Sequence, residues 1–150
     1  MIPLIVIIKL ISNVDSTTID CRPPFDKVTI PGTTIISPNY PNAYGNSSDC
    51  QLVITFATKA NVSLTFEDFN VEGHSSCRYD YLALYDGSSI SSPMVGSKLC
   101  GTRPAGTTMN STGNSMTLHF VSDNSETRTG FKIRADAKIG RDILEPSNFP

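Results

Sequence analysis

Apolar and polar residues alternate along most of the chain. Val62, Leu64 and Phe66 alternate with Ser63, Thr65 and Glu67, and Met116, Leu118 and Phe120 with Thr117, His119 and Val121. Leu52, Ile54 and Phe56 repeat the pattern after Cys50. A period of two sends successive side chains to opposite faces of a strand, so each segment predicts a half-buried strand with one face on a core. Turn-forming clusters separate these segments: Pro38-Asn39-Tyr40-Pro41, Asp86-Gly87-Ser88 and the stretch from Gly101 to Gly106. No window sustains a helical period. Many short strands between turn signals predict an all-β sandwich or barrel, with its body from about Cys21 to Asp136. Residues 137–150 are polar and read as a C-terminal tail or linker. No internal repeat interrupts this plan.

Composition narrows the class. The 150 residues suffice for one domain with tails, and 39% are apolar against 17% charged. Net charge is −2, with Lys and Arg scattered rather than in runs. Such a chain offers nothing to neutralise a phosphate backbone, which argues against a nucleic-acid partner. The four cysteines, Cys21, Cys50, Cys77 and Cys100, are far apart and lack zinc-ligand spacing. An even count of this kind predicts a disulfide framework in an oxidising compartment, with three pairings open. Ile2 to Ile11 is apolar apart from Lys9, with Val14 and Ser16 as small residues after it. Residues 1–16 therefore resemble a signal peptide cleaved after Ser16, though without a basic leading region. That run is shorter than the roughly 20 apolar residues a membrane helix needs, so no membrane span is expected. Sequons at Asn46, Asn61 and Asn110 predict glycosylation and agree with a secreted, extracellular protein. Asn46 falls in a loop before Cys50, and Asn61 and Asn110 fall at turn-like positions beside strands.

Enzymatic chemistry finds little support. His119 lies on the outward phase of its strand, which predicts a solvated side chain, and His74 lies in the loop Gly73-His74-Ser75-Ser76. The chain has no Gly-x-Ser-x-Gly elbow, no His-Glu-x-x-His zinc motif and no glycine-rich phosphate loop. Four oxidised cysteines would leave no thiol nucleophile. No catalytic residue is assigned, and the chain is read as a non-enzyme.

The carboxylates are more informative. Glu67, Asp68 and Glu72 crowd one stretch, Asp80 follows Cys77 by three residues, and Asp123 opens a turn after the Phe120 strand. A solvated acidic edge accounts for most of them. Asp80, however, shares alternation phase with Leu82 and Leu84, which points it at the core or its rim. A buried carboxylate requires a cation, a hydrogen-bond donor or a proton. A hard cation held by oxygen ligands would meet that need, and so would a buried Arg. The turn Asp123-Asn124-Ser125-Glu126 is not an EF-hand, because it lacks the glycine and the distant Glu of that loop.

Taken in series, these segments resemble a CUB domain. The resemblance runs from Gly32 and Ile35 through Ser37-Pro38-Asn39-Tyr40-Pro41, Tyr44 and Cys50, then Leu64 to Glu72. It continues through Cys77-Arg78-Tyr79-Asp80-Tyr81-Leu82, Tyr85-Asp86-Gly87, Cys100-Gly101, Pro104 and Asn114. Phe120-Val121-Ser122-Asp123-Asn124-Ser125 and Gly130-Phe131 close it. Leu52 departs from the family's usual Trp at a packing position.

The resemblance implies a jelly-roll β-sandwich of two antiparallel sheets, with Cys21 paired to Cys50 and Cys77 to Cys100. Each bridge would contribute about 3 kcal/mol in the chain-entropy account. It also implies one calcium ion held by Glu72, Asp80 and Asp123 with the carbonyl of Ser125, Tyr40 lending a supporting hydroxyl, and Glu126 either adding a ligand or turning away. Members of the family mediate protein–protein or protein–glycan contacts. The resemblance thus implies a secreted calcium-binding interaction module, whose calcium edge receives a basic side chain of an extracellular partner. Its alternatives are a fragment of a larger secreted protease and a structural component of an extracellular matrix, mineralised matrix included.

Overall fold

The structure, a computed structural model, describes residues 15–140. The expected signal peptide lies outside the described residues except for Asp15 and Ser16, as does the tail beyond Gly140. Ten strands and no helix form among the described residues. One sheet is ordered β1 (Ser16–Thr18), β3 (Thr33–Ile36), β10 (Gly130–Ile139), β5 (Ala60–Val71), with β7 (Gly101–Thr102) and β8 (Thr107–Asn110) both on the remaining edge of β5. The other is ordered β2 (Lys27–Val28), β4 (Asp49–Thr55), β9 (Ser115–Val121), β6 (Tyr81–Tyr85). Their inward residues meet in one core that includes Ile35, Leu52, Ile54, Leu64, Phe66, Leu82, Leu84, Leu118, Phe120 and Phe131. The expected sandwich is therefore what forms, and Leu52 is fully buried, a packing position as the resemblance implies.

The sheets are not wholly antiparallel, as the resemblance had implied. Strand β1 pairs with β3 in parallel, and β2 pairs with β4 in parallel. The cause is the path of the chain, which alternates between sheets from β1 to β7. A strand and its next sheet-mate are then joined by a crossover rather than a hairpin, the connection that parallel pairing requires. Paired structure also exceeds the expected bounds: β1 precedes Cys21, and β10 continues past Asp136 to Ile139.

The longest strand, β5, carries the feature that sets up the site. Its alternation holds from Val62 to Phe66, then slips so that Phe69 and Val71 are the next buried residues. The pairing with β10 slips at the same place, Lys132 facing Asp68 and Ile133 facing Phe66, which leaves Glu67 as the extra residue of a bulge. The bulge keeps Phe69 in the core, where it stacks on Phe131, and turns Glu67 and Asp68 outward.

The disulfides join Cys21 to Cys50 and Cys77 to Cys100, the pairing the resemblance implies, and no cysteine is free. Two local expectations need correction. His119 is on the outward phase but is not solvated: its side chain is only 14% exposed, because Asp49 Oδ1 lies 2.6 Å from its Nε2 and Tyr81 stands edge-on to its ring. Asn61 does not sit at a turn. It lies inside β5, opposite Lys138, whereas Asn46 is exposed in its loop and Asn110 is the exposed last residue of β8.

Candidate metal centre

Three strand ends converge at one pole of the sandwich. Glu72 follows the last residue of β5, Asp80 precedes the first residue of β6, and Asp123 lies two residues beyond β9. The pairing of Tyr81 with Val121 sets the last two beside each other. Asp80, fully buried, shares the inward phase of Leu82 and Leu84. Glu72 is 7% exposed. One carboxylate oxygen from each of Glu72, Asp80 and Asp123 lies within 4.8 Å of the others.

Hydrogen bonds fix two members of this cluster and leave the third short of a partner. Asp80 Oδ2 accepts the Tyr44 hydroxyl at 2.7 Å, and Asp80 Oδ1 accepts the Asp123 N–H at 2.8 Å. The Tyr44 oxygen accepts the Glu72 N–H at 3.0 Å, so one hydroxyl ties two of the three residues. Tyr44 is itself pinned in the core, edge-on to Phe120 at 4.9 Å between centroids. Asp123 Oδ1 accepts the Ser125 N–H at 3.2 Å, and the Asp123 carbonyl accepts the Ser47 N–H at 2.6 Å. Glu72 Oε2 is buried with no hydrogen-bond partner.

The electrostatics follow from this packing. Desolvation above all, then the charges of Asp80, Asp123 and Glu126, raise Glu72 from its ordinary value. Desolvation also raises Asp80, outweighing the Tyr44 hydroxyl and the Asp123 N–H, which favour the ionised form. Burial and the bond to Asp80 raise Tyr44, which keeps its hydroxyl a donor. Among the described residues, no Lys, Arg or His pairs with any of the three carboxylates, so the buried Arg that would have served Asp80 is not there. An all-oxygen donor set with excess negative charge and an orphaned buried oxygen fits a hard divalent cation.

The other expected participants are placed differently. Tyr40 donates its hydroxyl to Asp68 Oδ2 at 2.8 Å. Burial, then the bond and charge of Asp68, push its hydroxyl up to about 12. The bulge that turns Asp68 outward is what brings it to Tyr40. The supporting hydroxyl at the cluster belongs instead to Tyr44, whose one sequence signal is its place in the CUB-like series. Glu126 turns to Arg128, 3.3 Å away, while its charge still acts on Glu72. His74 Nδ1 lies 3.1 Å from both N and Oγ of Ser76, within its own loop.

Comparison with known proteins agrees with this architecture. The family model described as CUB domain matches residues 25–134. Mouse Tolloid-like protein 1 is 37% identical over 114 residues, covering 76% of this chain and 11% of that protein. The full extracellular region of zebrafish Gpr126/Adgrg6 superposes with a TM-score of 0.67 at 34% identity, over 76% of this chain and 14% of that one. The MASP-1 CUB2 domain bound to Ca2+ superposes with a TM-score of 0.64 at 32% identity, over 75% of this chain and 97% of that domain. The chain thus spans about a tenth of the curated relative and nearly all of the isolated domain.

Proposed function

The chain belongs to the CUB domain family, and from that premise we propose that it is an extracellular calcium-binding interaction module whose acidic pole receives a basic side chain of a partner protein. The observation that carries this reading is the buried, partnerless Glu72 Oε2 beside Asp80 and Asp123. Glu72, Asp80 and Asp123 would hold the ion, with the Ser125 carbonyl completing the protein ligands. Bound calcium supplies two positive charges, which three carboxylates exceed by one. Oxygens left over at the rim then suit a Lys or Arg. The Ca2+-bound MASP-1 CUB2 domain at 32% identity supports the choice of ion. The two disulfides and the extracellular region of zebrafish Gpr126/Adgrg6 support the compartment.

An exposed ion pair at this rim contributes about 1 kcal/mol, giving specificity rather than tight binding, and it weakens as salt rises. Partner binding should therefore fade in chelator and in high salt. The test of the module itself is thermal unfolding in calcium and in chelator. Extracellular sites have dissociation constants of about 0.1–1 mM. At about 1 mM calcium the expected gain is about 0.4–1.4 kcal/mol, a shift of a few degrees. Asp123→Ala, which spares the fully buried Asp80, should abolish the shift. An equal shift in the variant would place the ion elsewhere.

A further inference from the structure

The three sequons fall at two separate places on the sandwich. Asn46 is exposed in the loop between Tyr44 and β4, and that loop is stitched to the turn carrying Asp123. The Ser47 N–H donates to the Asp123 carbonyl at 2.6 Å, and the Ser48 N–H to Ser122 Oγ at 2.9 Å. Ser122 Oγ donates in turn to the Gly45 carbonyl at 2.8 Å. Hydrogen bonds on both sides of Asn46 thus fasten it to the acidic pole, and Tyr44, two residues before it, holds Asp80.

Asn61 and Asn110 are elsewhere. Asn61 and Ser63 flank the buried Val62 on the outward face of β5, and Asn110 of β8 lies directly opposite Ser63. Directly opposed residues share a face, so Asn61 and Asn110 are diagonal neighbours on the outside of the six-stranded sheet. Asn61 precedes Val71 by ten residues along β5, which at about 3.3 Å per residue sets it on the order of 30 Å from the Glu72 end.

We propose that the sequons divide by function. A glycan on Asn46 screens the carboxylate pole and limits the access of a basic partner, whereas glycans on Asn61 and Asn110 cover the far outer face and leave that pole open. This rests on the calcium-module reading above. A branched, hydrated sugar rooted one residue from Ser47 sweeps the rim through which a Lys or Arg must approach. A neutral, high-mannose glycan adds no competing charge, so its effect falls on encounter with the rim rather than on the ion.

The experiment uses the glycoprotein secreted by animal cells restricted to neutral, high-mannose glycans, with site occupancy read by mass spectrometry and a fluorescent oligolysine peptide as probe. Asn46 should be occupied. In calcium, Asn46→Gln and wild type trimmed by an endoglycosidase to single neutral sugars should bind the peptide about three- to five-fold more tightly than the glycoprotein, the scale of one exposed ion pair. Asn61→Gln and Asn110→Gln should match wild type. An unoccupied Asn46 overturns the screen, and so does calcium-dependent binding that is equal in wild type and Asn46→Gln. Binding indifferent to chelator in every form overturns the calcium rim, and the screen with it. No binding in any form, trimmed protein included, overturns both.

Discussion

Gly130→Ala is expected to destabilise the domain by about 3 kcal/mol or more, a loss of the kind reserved for named structural faults. Gly130 has φ +87, a conformation that costs an ordinary residue on the order of 1–3 kcal/mol. A Cβ there would also strike Ser37 Oγ, lie 2.8 Å from Ser37 Cβ and touch the Tyr44 ring at 3.4 Å. Ser37 is not free to move aside. Its Oγ accepts the buried Phe131 N–H at 2.9 Å, and its own N–H donates to the Phe131 carbonyl at 3.1 Å. Displacing it would orphan the Phe131 N–H, a further cost of about 1–3 kcal/mol. Urea denaturation measures the sum. A loss below about 1 kcal/mol would mean that the β10 entry and Ser37 relax together, against the packing described here.

Tyr44→Phe is the second large expectation. The ring would keep its place against Phe120, while Asp80 Oδ2 and the Glu72 N–H would both lose their partner. Loss of a hydrogen bond to a buried carboxylate costs about 1.5–3 kcal/mol, so a deficit near 2 kcal/mol is expected in chelator at neutral pH. Its pH dependence has a definite sign. The Tyr44 hydroxyl favours ionised Asp80, so removing it raises an already raised carboxyl further. The variant's deficit is complete above that range and shrinks as pH falls through it, because protonated Asp80 no longer depends on the lost donor. Calcium affinity should drop roughly ten-fold, as for other residues that orient a metal ligand. Tyr40→Phe is the matching control. It removes only the bond to exposed Asp68 and should cost less than about 1 kcal/mol and leave calcium affinity unchanged.

The contrast between these tyrosines shows what a sequence can reveal. Strand residues are legible because their side chains obey a period. Val62, Leu64 and Phe66 point inward as their spacing predicts, and Asp80 follows Leu82 and Leu84 into the core. Even the bulge leaves a trace, in the three-residue step from Phe66 to Phe69. Tyr40 and Tyr44 belong to a loop, where no period links position to direction, and only the fold shows which hydroxyl reaches Asp80. The parallel edges are illegible for another reason. Strands of two or three residues, such as β1 and β2, show no alternation, and their pairing is decided by where the chain crosses between sheets. His119 obeys its phase, yet its cover comes from Asp49 and Tyr81 on neighbouring strands. That contact depends on register, which spacing along one strand does not contain.

Calorimetric titration of calcium into the folded chain tests whether Glu72, Asp80 and Asp123 together hold one calcium ion, as proposed. The expected isotherm shows one ion per chain with a dissociation constant of about 0.1–1 mM, lost in Asp80→Asn. Proton release should accompany binding and grow as pH is lowered from neutrality, because Glu72 and Asp80 are held above the ordinary carboxylate range and must shed any proton to act as ligands. An isotherm that survives Asp80→Asn unchanged, or one with no proton release at any pH, would mean that these carboxylates do not hold the ion.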